Sequence, residues 1–248
     1  MLTGINLMNI LVDELNDLGL PNMAATLDTL YRSEKFLNMD RLTLISELIE
    51  PEYRDKISKR INNRLRSSHL IGCPQELSKC IDSKYREYLP SGITEVLSTM
   101  DFILNGLNVC ILGSSDSGKS YLAKSLGIRA CDNYRVEYHH CETFLEEMVA
   151  LKLSDYQKYQ RKIKKQLNLD LLILDDFLLH TITDEREVKV LFEILEKRSE
   201  LSKSTVICSQ REPKSWASMI LNDEVSANAI IKRATRHYTI VINTKVTA

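Results

Sequence analysis

Gly113 to Ser120 reads GSSDSGKS and satisfies the spacing G-x-x-x-x-G-K-[ST], with an apolar run before it and the helical pattern KSYLAKSLGIRA leading out. Gly113 and Gly118 permit the tight turn, so that the backbone N–H groups of Gly113, Ser114, Ser115, Asp116, Ser117, Gly118, Lys119, Ser120 and Tyr121 can surround phosphate oxygens. Lys119 adds a point charge suited to the β- and γ-phosphates, Ser120 offers a hydroxyl to Mg²⁺, and the following helix turns its positive dipole end to the same place. The cofactors this chemistry calls for are ATP and Mg²⁺. Acidic groups must then hold the metal and an attacking water. Asp175 and Asp176 close the apolar run LLILDD, at the carboxyl end of a buried strand where open α/β sheets place ligands. Asp175 reads as a Mg²⁺ ligand acting through water, and Asp176 as the group that polarises the nucleophile. The run STVICSQ ends in Ser209-Gln210, a polar terminus able to reach between a γ-phosphate and that water.

The elements that must position these groups follow from periodicity. Short β-like runs at 107–112, 135–140, 169–176, 204–210 and 237–242 alternate with helical patterns, which predicts a three-layer α/β domain with a mostly parallel five-stranded sheet. Before them, from Asn6 to about His69, leucines and isoleucines recur at helical spacing. Gly19-Leu20-Pro21 and Glu50-Pro51 punctuate that region, so a small all-α bundle of several short helices is expected. The domain reading is a helical partner-binding bundle over 1–70, a Pro/Gly-containing linker and entry to the nucleotide domain over 71–106, and the nucleotide domain itself over 107–248.

With 33 Lys and Arg against 34 Asp and Glu, the net charge of −1 excludes a globally basic, histone-like protein, so any nucleic-acid contact must be local. Two runs qualify. Arg54, Lys56, Lys59, Arg60, Arg64 and Arg66 enclose one acid, Asp55; Lys158, Arg161, Lys162, Lys164 and Lys165 enclose none and are interleaved with Tyr159. Either could neutralise several phosphates, and a solvated helix face is the competing reading for both. The six cysteines form no C-x-x-C pair, and the five histidines have no metal-site spacing. No basic residue precedes Arg32 and no apolar run approaches the roughly 18 residues of a membrane span. A cytoplasmic protein with reduced thiols and no membrane partner is expected.

At this point the chain resembles the IstB-like ATPases, helper proteins of certain transposons, and more distantly the DnaC helicase loaders, both within the AAA+ group. The resemblance rests on GSSDSGKSYLAKSLG, LDLLILDDFLL, TVICSQREPKSW and ANAIIKRATRHYTIVI, and covers about 90 to 242. It implies that Gln210 acts as the sensor-1 residue and that Arg233 is an arginine finger completing a neighbouring subunit's site. It also implies that the C-terminal helical lid is absent. Two positions depart from the family pattern: the loop interior is Ser/Asp-rich, and Leu178 stands where glycine is common. The activity implied is ATP hydrolysis by a homo-oligomer assembled on double-stranded DNA, which recruits or activates a transposase. The alternatives are a loader that grips a replicative helicase on single strands, a P-loop kinase of a small metabolite, and a nucleotide switch without turnover.

Overall fold

Residues 4–33, 35–220 and 224–245 are described in a computed structural model, which divides into two units, Met1–Asn63 and Arg64–Ala248. The outermost bounds of the expected domains, 1–3 and 246–248, lie outside the described residues. In the smaller unit run α1 (Gly4–Asp17), α2 (Pro21–Tyr31), α3 (Lys35–Asn38) and the start of α4 (Arg41–Ser67). Asp40 starts α4 by accepting from the N–H groups of Leu42 at 3.0 Å and Thr43 at 3.1 Å. Buried Glu52 accepts from the N–H groups of Asn22 and Met23 at the start of α2, where a carboxylate meets the positive end of the helix dipole. Pro51 does not end a helix as expected; it sits inside α4. The helical donor it removes is the one for the Glu47 carbonyl, and both residues are exposed, so that oxygen is open to water.

The larger unit contains a six-stranded sheet, one strand more than the apolar runs indicate. The strands are β1 (Arg86–Leu89), β2 (Val109–Leu112), β3 (Val136–His140), β4 (Leu171–Asp175), β5 (Ser204–Ser209) and β6 (Tyr238–Thr244), in spatial order β1-β6-β2-β5-β4-β3. Every pairing is parallel except β1 with β6. Its helices are α5 (Ile93–Ser98), α6 (Asp101–Leu104), α7 (Lys119–Ala130), α8 (Cys141–Ser154), α9 (Tyr156–Asn168), α10 (Glu185–Glu200), α11 (Pro213–Trp216) and α12 (Glu224–Ala234). Alternate residues of each central strand face opposite layers. Val109, Ile111, Leu171 and Ile173 pack with Leu122 and Leu126 of α7, whereas Cys110, Leu112, Leu172 and Leu174 pack with Met148, Leu191 and Ile230 of α8, α10 and α12. Burial on both faces is why these strands read as unbroken apolar runs.

Segment 71–106 differs from a linker in structure: it supplies β1, α5 and α6, and buries Cys80, Tyr88, Ile93, Leu97, Phe102 and Ile103 in the core. Between the helix that leaves the phosphate loop and the strand that carries Asp175, separation is set by Gly127. A Cβ there would lie 2.6 Å from Leu70 Cδ1 and 2.8 Å from Ile173 Cδ1, and both neighbours are buried. Overpacking of this kind costs about 1–3 kcal/mol. Gly127→Val is therefore expected to lower the melting temperature by several degrees and to weaken nucleotide binding, measured by thermal melts and titration of a fluorescent ATP analogue; an unchanged melt would contradict the close approach.

Candidate functional site

Parallel register brings the chemistry to one edge. Leu112 pairs with Ser209, and His140 with Asp175, so the loops that follow β2, β5, β4 and β3 all leave from the carboxyl edge of the sheet. The phosphate loop follows β2 and runs into α7, whose N-cap is Gly118 at φ 104°. A Cβ on Gly113 would lie 2.5 Å from Ser117 Oγ and 2.7 Å from the carbonyl oxygen of Ile242 on β6, so the loop is wedged against the sheet with no space for a side chain. Ser117 is fully buried and its hydroxyl has no hydrogen-bond partner among the described residues. Lys119 is almost completely buried and donates to the carbonyl of Ser114 at 2.6 Å, which folds its ammonium back over the loop. Burial pushes the Lys119 amine below its ordinary value, an effect opposed by the nearby Cys208, Asp175 and Asp176. Ser114, Ser115 and Asp116 are exposed, while Ser120 and Tyr121 are half-buried. An orphaned buried hydroxyl, a folded-back cation and a loop shut to side chains fit a polyphosphate.

Asp175 is fully buried at the end of β4 and accepts from the Tyr138 hydroxyl at 2.5 Å. Burial and that carboxylate together raise the Tyr138 phenol above its usual range, so it stays a donor. Asp176 is half-buried with φ 53°, and the imidazole of His140 lies 3.1 Å from its carboxylate. Ligating atoms of His140, Asp175 and Asp176 lie within 4.8 Å of one another. The oxygens of Asp175, Asp176 and Ser120 are the donor type that Mg²⁺ takes. Leu178 adopts φ 52°, in the left-handed region where glycine is at ease, and it is buried against the core. Packing holds the leucine in a conformation suited to glycine. At the end of β5, Ser209 donates to the carbonyl of Phe177 at 2.7 Å and is buried, whereas Gln210 is exposed with no side-chain hydrogen bond among the described residues. Tyr138 and His140 were not singled out in sequence; the polar end of the run RVEYHH is the signal that could have found them.

Comparison with known proteins gives the family and the fold. The family described as IstB-like ATP binding protein matches residues 13–246. The chain belongs to the IstB-like ATP-binding family. It is 31% identical over 222 residues to a Sinorhizobium fredii protein named for an insertion sequence and ATP binding, covering 88% of this chain and 86% of that one. The Pseudomonas aeruginosa protein named for insertion sequence IS21 and ATP binding is 23% identical over 192 residues, or 77% and 70% of the two chains. In fold, the chain is similar to DnaA from Aquifex aeolicus bound to AMPPCP (TM-score 0.56, 23% identity, 70% and 51% coverage). It is likewise similar to the DnaC helicase loader (TM-score 0.50, 16% identity, 73% and 99% coverage). The fold is that of the AAA+ proteins.

In this IstB-like chain, Arg233 sits at the far end of the sheet from the loop. Its carbonyl accepts from Asn108 Nδ2 at 2.8 Å, and Asn108 precedes β2 while Gly113 follows it. The Arg233 guanidinium is paired with Glu196 on α10, donates to the carbonyl of Ala229, and lies 5.5 Å from the Phe192 ring centroid. The basic runs are largely neutralised in place. On α4, Arg54 pairs with Glu50, Lys56 with Glu52 and Lys59 with Asp55, while Arg64 donates to the carbonyls of Asp132 and Cys131. Lys158 pairs with Asp155, Lys162 with Glu147 and Lys165 with Glu137. Burial would raise the Glu137 carboxyl, but His139, Lys165 and Gln166 outweigh it and hold the group down at about 2. Among the described residues Arg60, Arg66, Arg161 and Lys164 have no ion pair. Lys158, Arg161, Lys162 and Lys165 also line a cavity of about 920 Å³ beside β3 that reaches His140.

Gly113→Ala should abolish nucleotide binding, because the added methyl collides with backbone and with Ser117. Titration with a fluorescent ATP analogue checks this, and wild-type affinity in a variant that melts normally would contradict the cradle.

Proposed function

We propose that the protein is an ATPase that assembles on duplex DNA and recruits or activates a transposase. The observation that carries the ATPase reading is the convergence of Lys119, Asp175, Asp176 and Gln210 on the carboxyl edge of one sheet. The transposition reading is supported by the family and by relatives named for insertion sequences.

In this reading the loop N–H groups and Lys119 hold the β- and γ-phosphates. Ser120 and Asp175 would hold Mg²⁺, which supplies charge neutralisation at those phosphates. Water attacks the γ-phosphorus, the bond to the β–γ bridging oxygen breaks, and ADP and phosphate leave; Asp176 takes the proton of the attacking water. His140 fixes the Asp176 carboxylate from one side, and Gln210 reaches the γ-phosphate from the end of β5. Arg233 acts on the site of an adjacent copy, which its position at the far end of β2 favours. The exposed Leu7, Ile10 and Leu11 of α1 and Leu42, Ile45 and Ile49 of α4 support partner binding by the helical unit. DNA contact falls to the cations that no carboxylate neutralises, with Arg161 and Lys164 on α9 foremost.

ATP turnover measured without DNA, with single strands and with duplex tests this reading. Duplex is expected to stimulate most; stimulation by single strands alone would turn the reading towards a helicase loader, and absence of turnover in all three would refute an ATPase. Replacing Arg161 and Lys164 with Ala should weaken duplex binding on every sequence and reduce the slope of log affinity against log salt by about 2. An unchanged slope would return α9 to an ordinary solvated face.

A further inference from the structure

Strand β1 brings a second cationic side chain, beside Lys119, to the phosphate loop. Arg86 is its first residue, paired with Thr244 of β6. Ser83 pins its backbone from both sides: the Arg86 N–H donates to Ser83 Oγ at 3.1 Å, and the Ser83 N–H donates to the Arg86 carbonyl at 2.8 Å. From there the guanidinium crosses to the loop and lies flat against Gly118. A Cβ on Gly118 would stand 3.3 Å from Arg86 Cζ and 3.4 Å from both Nε and Nη1. Nη2 donates to the carbonyl of Asp116 at 3.3 Å. That is its only side-chain hydrogen bond among the described residues, and no carboxylate pairs with it there, so its other donors and its full charge remain available.

The loop needs that charge. Asp116, exposed and at φ 59°, puts a carboxylate into a turn built to receive an anion, and a like charge beside a triphosphate opposes binding. Arg86 stands against the backbone of the same two residues, Asp116 and Gly118, and offsets it. We propose that Arg86 is a nucleotide-binding residue, donating to the phosphate chain of a nucleoside di- or triphosphate and compensating the charge of Asp116. This rests on the reading of Gly113–Ser120 as the nucleotide cradle.

The test is titration of fluorescently labelled ATP and ADP, with Mg²⁺, into the full chain and its Arg86→Ala, Arg86→Gln, Arg86→Lys, Asp116→Asn and Lys119→Ala variants, at two salt concentrations. Loss of a charge-assisted hydrogen bond predicts roughly tenfold weaker binding for Ala and Gln, partial recovery for Lys, and a smaller salt effect wherever the charge is gone. Asp116→Asn should bind more tightly than the parent chain. Wild-type affinity in Arg86→Gln would overturn the proposal, because a neutral amide that braces the loop would then suffice. Equal affinity in all three Arg86 variants would overturn it as well. If Lys119→Ala binds as the parent does, the cradle reading itself fails, which is a separate result. Thermal melts exclude unfolding, and Arg86→Lys and Arg86→Gln keep the comparison valid should the Ala variant be unstable.

Discussion

A four-residue strand separates the two halves of the proposed active site. Val109–Leu112 has the phosphate loop at its carboxyl end and Asn108, which holds the Arg233 carbonyl, at its amino end. At about 3.3 Å per residue, the five steps from Asn108 to Gly113 span about 16 Å. The Arg233 side chain is engaged by Glu196, Ala229 and Phe192, all on α10 and α12. A loop and an arginine fixed at opposite ends of one buried strand cannot serve one phosphate within the same chain. If Arg233 is a finger, a second copy must bring it.

The same strand accounts for what was legible in the sequence. Central strands buried on both faces carry apolar residues on both, so β2, β4 and β5 stand out by the cores VCIL, LLIL and VIC. The glycines and Lys119 are legible because a phosphate cradle tolerates few other residue types. Strand β1 was not, since REYL is an antiparallel edge strand with only Tyr88 fully inside, and four residues of that composition carry no period. Missing β1 meant missing Arg86. Pro51 misled for a different reason: a proline on an exposed helix face leaves a carbonyl that water can satisfy, and a local rule for helix ends does not register exposure. Tyr138 and His140 stand in a run with a polar end, but only the register that sets β3 beside β4 places them against Asp175 and Asp176.

Charge was the least legible property. Runs of lysine and arginine look like phosphate-binding surfaces until partners are known, and Arg54, Lys56, Lys59, Lys158 and Lys162 have partners one helical turn away or on the neighbouring helix. Ion pairs at exposed positions are weak, about 0–1 kcal/mol, so DNA could compete for several of these cations. Lys165 is different because its partner Glu137 is buried and tied to Gln166 and His139. Removing Lys165 would leave a buried carboxylate undercompensated, so a loss of DNA binding on its replacement would not separate phosphate contact from damage to the core.

The most direct measurement of the shared site is complementation between two inactive proteins. Arg233→Ala retains the phosphate loop and Lys119→Ala retains the arginine; each alone should hydrolyse ATP poorly, the former by a factor on the order of 10³ if the arginine acts on the transition state. Mixed over a range of ratios, they should regain turnover, because an interface can then pair the intact loop of one with the intact arginine of the other. If both variants melt as the parent chain does and every mixture stays as inactive as its components, the active site is not completed by a second copy.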